Sequence, residues 1–273
     1  MLTVSIVTYH TDPEELSRCL AALCSPAVRH VYVIDNSSDK ATESLCAGKK
    51  KVTYIANRNT GYGAAHNIAL RRVVDGHEAP YHLVLNSDVH FSPDILPRLI
   101  DVMERHPGVG QLQPRVLNPD GSMQWTVRRL PTPIDLIGRR FLPSSWLRLR
   151  NDRYLLKHLD HSRPFNVPYH QGSFMLLRTD ALRRSGIFDE RFFMYPEDID
   201  LTRRIHRNYV TLYWPHETII HDHRAQSYAS GRMLRIHMAN MIRYFFKWGW
   251  LSDRERRREN RRLDRAATYL DID

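Results

Sequence analysis

Cysteine is scarce in this 273-residue sequence: Cys19, Cys24 and Cys46 are an odd number at spacings that suit no metal knuckle. That excludes a disulfide-stapled fold and points to free thiols in a reducing compartment, each by default a small buried apolar residue. Twelve glycines and fifteen prolines are too few for a fibrous or low-complexity chain, and a 42% hydrophobic content excludes wholesale disorder. No apolar run approaches the ~18 residues of a membrane span. The first residues, MLTVSIVTYHTD, carry no basic stretch before their apolar run and make a poor signal peptide. A cytoplasmic chain is therefore expected, long enough for one large domain or two modest ones. Acid is also in short supply, with 30 Asp and Glu against 40 Lys and Arg for a net charge of +10. Anionic partners follow, whether nucleotides, nucleic acid or acidic lipid, and charge alone does not choose among them.

The first third alternates apolar strand-like runs with helical patterns. Strands are predicted at 2–8, 30–35, 52–56 and 81–86, with helices from Pro13 to Leu23 and from Ala64 to Val74. Such alternation predicts an α/β fold, a mainly parallel sheet with helices on both faces, whose ligands bind beyond the carboxyl ends of the strands. Those ends carry Thr8 and Tyr9, then Asp35 and Asn36, then Asn86, Ser87 and Asp88. Further on, VGQLQPRVL and SMQWTVRRL flank Asn118-Pro119-Asp120-Gly121 and read as a hairpin or bent strand pair. Residues 129–165 are rich in Arg and Pro and form the candidate mobile or acceptor-facing segment. Regular patterning resumes at 170–178, followed by helices at Asp180–Ser185 and from Pro196. With no internal repeat or linker, the simplest division is a catalytic domain at 1–228 and a basic helical segment at 229–273.

Four constellations carry chemistry. Asp88, on a loop after an apolar strand, is placed to hold a hard divalent cation against phosphate oxygens; an ordinary helix-capping Asp is the plainer alternative. Glu197, Asp198 and Asp200 begin a helix after Pro196, where the dipole favours their ionised forms. Glu197 and Asp200 share a face and Asp198 points elsewhere, which leaves one carboxylate for a reacting proton. The alternative is an acidic helix start with Asp200 paired to Arg204. His221 and His223 lie two apart on a strand and share one face, so either can ligate a metal or be structural. Two glycines in Asn59-Thr60-Gly61-Tyr62-Gly63 precede a helix and let backbone amides approach an anion. The third glycine of a dinucleotide fingerprint is absent, which argues against NAD.

Seven segments in order, SIVTYH at 5–10, VIDNSS at 33–38, NTGYGAAHN at 59–67, LNSD at 85–88, GSFMLLR at 172–178, GIFDERFFMYPEDIDLTRR at 186–204 and IIHDHRAQS at 219–227, resemble the inverting family 2 glycosyltransferases of GT-A fold. The likeness is closest to the bacterial rhamnosyltransferase-like members that build O-antigen and related polysaccharides. The resemblance implies that Thr8 and Tyr9 line the nucleotide pocket, that Asp35 binds the pyrimidine base, and that Asn59, Gly61 and Asn67 close around the nucleotide sugar, with Asn86, Ser87 and Gly172 in the same site. Asp88 matches the last carboxylate of the family's DXD motif and is expected to bind Mg²⁺ or Mn²⁺; Asn86 stands where that motif has its first Asp. Asp198 matches the catalytic base with Glu197 beside it, and His221 a histidine that completes the metal site in some relatives. The expected donor is a nucleotide-diphosphate sugar, dTDP-rhamnose first, and the expected acceptor a saccharide or polyprenyl-diphosphate-linked saccharide.

Near the C-terminus Leu234, Met238, Met241, Phe245 and Trp248 form one helical stripe, with Arg232, Arg243 and Lys247 near the opposite side. The stripe suits either packing on the catalytic domain or the headgroup region of an anionic membrane surface, the inner face of the cytoplasmic membrane for such an acceptor. Residues 252–269 mix arginines with acids and read as a solvated or membrane-edge helix. Two rivals remain. A nucleic-acid-binding protein would use the charge and the aromatics Tyr244 to Trp250, but leaves the acidic 197–200 cluster unexplained, so no nucleic acid is expected. A metal-dependent phosphohydrolase would use Asp88, His221 and His223.

Overall fold

β1 (Leu2–Thr8) sets the frame. Its alternating residues Leu2, Val4 and Ile6 join one apolar cluster with Leu16 and Leu20 of α1 (Pro13–Ala22) and Leu96 and Leu99 of α4 (Ile95–Arg105). The helix α1 starts where Asp12 accepts a hydrogen bond from the Glu14 amide and Pro13 fills the first turn. On the opposite face of β1, Thr3 and Ser5 are buried yet satisfied. Thr3 Oγ1 lies 2.8 Å from His82 Nδ1, and Ser5 Oγ lies 2.8 Å from His82 Nε2 and 2.7 Å from His66 Nδ1. Burial keeps both imidazoles neutral, pushing His82 down to about 3 and His66 well below its ordinary value.

The computed structural model describes residues 1–37, 39–138, 144–222, 231–265 and 268–272. The large sheet adds β2 (Val28–Asp35), β3 (Val52–Ala56), β4 (Tyr81–Leu85), β5 (Val89–His90), β6 (Val109–Leu117), β8 (Phe165–Asn166), β10 (Phe174–Arg178) and β11 (Val210–His221). The strand order is β3-β2-β1-β4-β10-β6-β11-β5, with β8 also on β11. Strands β3, β2, β1 and β4 are parallel, β10 runs antiparallel between β4 and β6, and β11 is parallel to β6. Val84 of β4 and Met175 and Leu177 of β10 pack on the second face with α3 (Tyr62–Gly76), α7 (Thr179–Ser185) and α8 (Glu197–His206). The α/β expectation holds, with helices on both faces of a mainly parallel sheet.

The expected hairpin or bent strand pair forms its turn and the first step of pairing, with the Gln124 amide donating to Val116 O at 2.9 Å. The Asn118 amide donates to Ser122 O at 2.8 Å and one bridge joins Leu117 to Met123. The chain then leaves, and β7 (Val127–Arg128) pairs with β9 (Tyr169–His170) in a separate two-stranded sheet. The reason is that β10 and β11 already occupy both edges of β6. The Arg- and Pro-rich stretch holds α5 (Pro133–Leu136) and α6 (Ser144–Tyr154).

The C-terminal helices α9 (Gly231–Trp248) and α10 (Arg254–Arg262) pack on the sheet-bearing unit. Met241 and Phe245 of the stripe are buried, as is Tyr244, while Leu234 is exposed. Tyr244 and Phe245 are therefore unavailable as the stacking surface that a nucleic-acid reading needs. Asn240 Nδ2 donates to Met194 O at 2.9 Å, and Asn260 exchanges hydrogen bonds with the backbone of Leu130. Buried Arg203 of α8 makes a two-pronged contact with Asp253, both distances 2.7 Å, with Trp248 stacked at 4.0 Å. Among the described residues no helix is long and apolar enough to cross a membrane.

Candidate active site

The carboxyl ends of the parallel strands converge as the topology requires. Thr8 and Asp35 are register partners at the ends of β1 and β2, both buried, and Tyr9 beyond them is 58% exposed. Asp35 accepts from the Ser37 amide at 2.9 Å, the Tyr54 hydroxyl at 2.7 Å and the Thr42 hydroxyl at 3.2 Å. Burial raises its pKa, but the hydrogen bonds from Ser37 and Tyr54 outweigh that and hold the carboxyl below its ordinary value. Asn59 and Gly61 follow β3. Gly61 has φ +102°, and a Cβ there would lie 2.2 Å from Phe193 O, so only glycine lets the 59–63 loop press against the 193 backbone. Asn67 is buried in α3 with its amide committed to the loop before α8: it donates to Phe188 O and Glu190 and accepts from the Phe188 amide.

The loop after β4 carries Asn86, Ser87 and Asp88. Ser87 donates to buried Glu15 at 2.6 Å, which anchors the loop to α1. Asp88 Oδ1 lies 3.2 Å from His221 Nε2 at the end of β11, and His221 Nδ1 lies 2.9 Å from Gln124 Oε1. Asp88 and His221, far apart in sequence, are thus neighbours. Oδ1 of Asp88 is buried without a hydrogen bond, and one carboxylate oxygen with one imidazole nitrogen at this separation is a donor set that fits a divalent cation. Among the described residues no group of three or more His, Cys, Asp or Glu side chains gathers. An ion held by these two residues would take further oxygens from phosphate and water. His223, the other nominated histidine, lies outside the described residues.

Tyr62, the first residue of α3, ties this loop to the second carboxylate. Its hydroxyl is 2.8 Å from both Asn86 Oδ1 and Gly172 O, and the Gly172 amide donates to Asp198 Oδ2 at 3.0 Å. Asp198 sits in the first turn of α8 and also accepts from the Ile199 amide at 2.8 Å. Burial pushes its pKa up to about 6 against the opposing pull of those backbone amides and of the Arg128 charge. Burial and the Asp198 charge push Glu197 well above the ordinary carboxylate range. The two carboxylates diverge: Glu197 packs beneath Gly63 of α3, and Asp198 faces a cavity. Asp200 is spent on structure, accepting from Arg204 at 2.9 Å, Trp248 Nε1 at 2.8 Å and Lys247 at 2.6 Å. The i, i+4 alternative was right for Asp200.

The cavity before Asp198 measures about 560 Å³ and its wall includes Trp125, Arg128, Tyr154, Tyr169, Gln171 and Tyr195. Gln124, the partner of His221, lines it too, so the cavity reaches from Asp198 toward the Asp88 side. Sequence reasoning nominated none of these wall residues. Gln124, Trp125 and Arg128 lie in a segment read as strand, Gln171 in the run at 170–178 and Tyr195 in the motif before α8, and the pairing of β7 with β9 that brings Arg128 and Tyr169 together has no local signature.

A mainly parallel sheet with an antiparallel insertion, polar loops at its carboxyl edge, and the loop bearing Asp88 linked through Tyr62 and Gly172 to Asp198 are the features of a nucleotide-sugar glycosyltransferase of the GT-A class. The structure of GalNAc-T7 with UDP, GalNAc and Mn²⁺ superposes with a TM-score of 0.62 over 91% of this chain and 48% of that one, at 15% identity. S. aureus TarS gives 0.54 over 89% of this chain and 43% of that one, also at 15% identity. At that identity the likeness is one of fold, and this chain spans under half of each. Residues 3–186 match the profile described as Glycosyl transferase family 2, and the chain belongs to that family. It is 32% identical over 253 residues, 88% of this chain and 80% of the relative, to the N-acetylglucosaminyl-diphospho-decaprenol L-rhamnosyltransferase of Mycobacterium tuberculosis. To the rhamnosyltransferase WbbL of Escherichia coli K12 it is 27% identical over 273 residues, 97% of this chain and 98% of the relative.

Proposed function

We propose that this enzyme transfers L-rhamnose from dTDP-rhamnose, with inversion, to a hydroxyl of a saccharide carried on a polyprenyl diphosphate, in the assembly of a cell-surface polysaccharide. The observation that carries the reading is a buried carboxylate with a pKa near 6, Asp198, facing a sugar-sized cavity and joined through Gly172 and Tyr62 to the loop bearing Asp88. The names of the relatives support the choice of sugar and of acceptor.

In this reading Thr8, Tyr9 and Asp35 take the base end of the donor, and Asn59, Gly61, Asn86, Ser87 and Gly172 shape the pocket around its sugar and diphosphate. Asn67 acts on that pocket through the loop it pins. Asp88 and His221 would hold Mg²⁺ or Mn²⁺, which supplies neutralisation of the charge that develops on the departing diphosphate. On the other face of the sugar, Asp198 accepts the proton of the acceptor hydroxyl as the oxygen attacks the anomeric carbon. Its pKa near 6 leaves it ionised at neutral pH and still basic enough to take that proton. The Gly172 and Ile199 amides fix its orientation, so attack is in line and no glycosyl-enzyme forms. Burial and the neighbouring charge push Glu197 toward its neutral form, which lessens a second negative charge beside Asp198.

A lipid-linked acceptor brings the enzyme to the inner face of the cytoplasmic membrane. Large apolar side chains lie exposed on α6 (Trp146, Leu149) and on and just after α9 (Phe246, Leu251), and arginines from Arg254 to Arg265 line one groove along α10. Both features support a peripheral contact with anionic lipid.

The test is thermal unfolding with a panel of nucleotide sugars, with and without Mn²⁺, followed by transfer assays. A ligand at a hundred times its Kd adds about 2.7 kcal/mol, a shift of several degrees for a protein of this size. dTDP-rhamnose should give the largest shift and support transfer. Stronger protection by a UDP- or GDP-sugar would overturn the donor assignment.

A further inference from the structure

Arg128, the arginine that lines the cavity before Asp198, differs from the arginines that flank it in this part of the chain. Arg129 and Arg153 are paired with Asp264, and Arg150 with Asp135. Arg128, partly buried at the end of β7, hydrogen-bonds neutral groups, with the Asp198 charge acting on it from beyond ion-pairing distance: Nε donates to Trp125 O at 2.9 Å, and its terminal nitrogens lie 3.4 Å from the Tyr169 hydroxyl and 3.3 Å from Gln171 Oε1. Among the described residues no carboxylate lies within ion-pairing distance of it. Asp135, the other acid on this wall besides Asp198, is engaged by Arg150 and Thr132. A half-desolvated guanidinium held by long neutral hydrogen bonds is poorly compensated, and its planar fork matches phosphate oxygens. Trp125, Tyr154 and Tyr169 give the same cavity flat apolar faces of the kind sugar rings lie against.

We propose that Arg128 clamps the phosphate through which the acceptor sugar is joined to its lipid, while the aromatic walls hold the sugar and Asp198 receives its hydroxyl proton. The inference rests on the glycosyl-transfer reading and adds that the acceptor is selected by its anionic linkage as well as by its sugar. A diphosphate is also present on the donor. The acceptor's is favoured because Arg128 shares its cavity with Asp198 and Tyr195, whereas Asp88 is not part of that wall.

The experiment uses the full chain with its donor side filled by dTDP and Mg²⁺. Calorimetry compares two probes: N-acetylglucosaminyl diphosphate bearing a short, water-soluble prenyl chain, and the neutral phenyl N-acetylglucosaminide. The wild type should prefer the diphosphate by about 10- to 100-fold, the worth of one or two charge-assisted hydrogen bonds. Arg128→Gln should lose that preference while its affinities for the phenyl glycoside and for dTDP stay unchanged, and Arg128→Lys should keep part of it. A preference that survives in Arg128→Gln overturns the proposal. So does weakened dTDP binding, which would assign Arg128 to the donor, and so does an equal loss for both probes, which would make its role structural. A wild type that binds both probes equally sinks this inference alone; one that binds neither sinks the acceptor reading with it.

Discussion

Replacing Asp198 by Asn keeps the side chain's shape and removes its charge. Asp198 is 7% exposed and titrates near 6 instead of 3.8. Above pH 6 the folded protein therefore holds an ionised group that it disfavours by roughly 3 kcal/mol, at about 1.4 kcal/mol per pKa unit. The sign follows from linkage. A carboxyl whose pKa rises on folding contributes stability that is fully present below its unfolded value and is lost as pH climbs through the folded one. Wild-type stability should thus carry a component that declines between about pH 4 and about pH 7 and is missing from Asp198→Asn, so the gap between the two proteins changes across that window. Urea denaturation at about pH 5 and about pH 7.5 reads this difference. Turnover moves the other way: wild-type kcat rises through about pH 6 as the base ionises, and Asp198→Asn loses about 10²- to 10⁴-fold above that pH, with a smaller loss below it and donor affinity intact. A variant that keeps more than about a tenth of wild-type kcat, well above that range, would refute the reasoning. So would a stability gap that does not change with pH.

Asp88→Ala should weaken dTDP binding in Mn²⁺ by at least about tenfold, roughly 1.4 kcal/mol, and have little effect in its absence; equal affinity in titrations with and without the ion argues against the site. Removing His221 should act in the same direction. Arg203→Ala strips the counter-charge from buried Asp253 and the cation stacked on Trp248, which should cost about 3–5 kcal/mol in urea denaturation. A loss under about 1 kcal/mol would mean that the C-terminal helices are held by other contacts.

The parallel half of the sheet was legible because its signals are local. A parallel strand covered on both faces is apolar along its length, and the polar residues that end it, Thr8, Asp35 and Asn86 to Asp88, must then meet at one edge. The acidic start of α8 was equally visible, and Pro196 marked where it begins. What sequence did not reveal depends on pairing at a distance. Whether Met123 to Arg128 continues a hairpin on β6 or crosses to β9 is decided by β10 and β11 occupying the edges of β6, and neither strand lies near it in the chain. Arg128, Trp125 and Tyr169 were lost with that pairing. Tyr62 was in view within its glycine motif, but its link to Gly172 joins positions 110 residues apart and no spacing rule predicts it. Asp200 shows the converse: three carboxylates in one turn look alike in sequence, and only their neighbours separate a base from a structural acid.

The profile that defines the family ends at residue 186, ahead of Asp198 and of every residue that props α8 from the C-terminal side. Arg203 leans on Asp253, and Asp200 on Trp248 and Lys247, so the helix that carries Asp198 is braced by the tail of the polypeptide. The residues that prop α8 from the C-terminal side thus lie outside the stretch by which the family is recognised. Relatives sharing that stretch can diverge in the tail, and a version trimmed just past the sheet would keep the strands while α8 loses its footing.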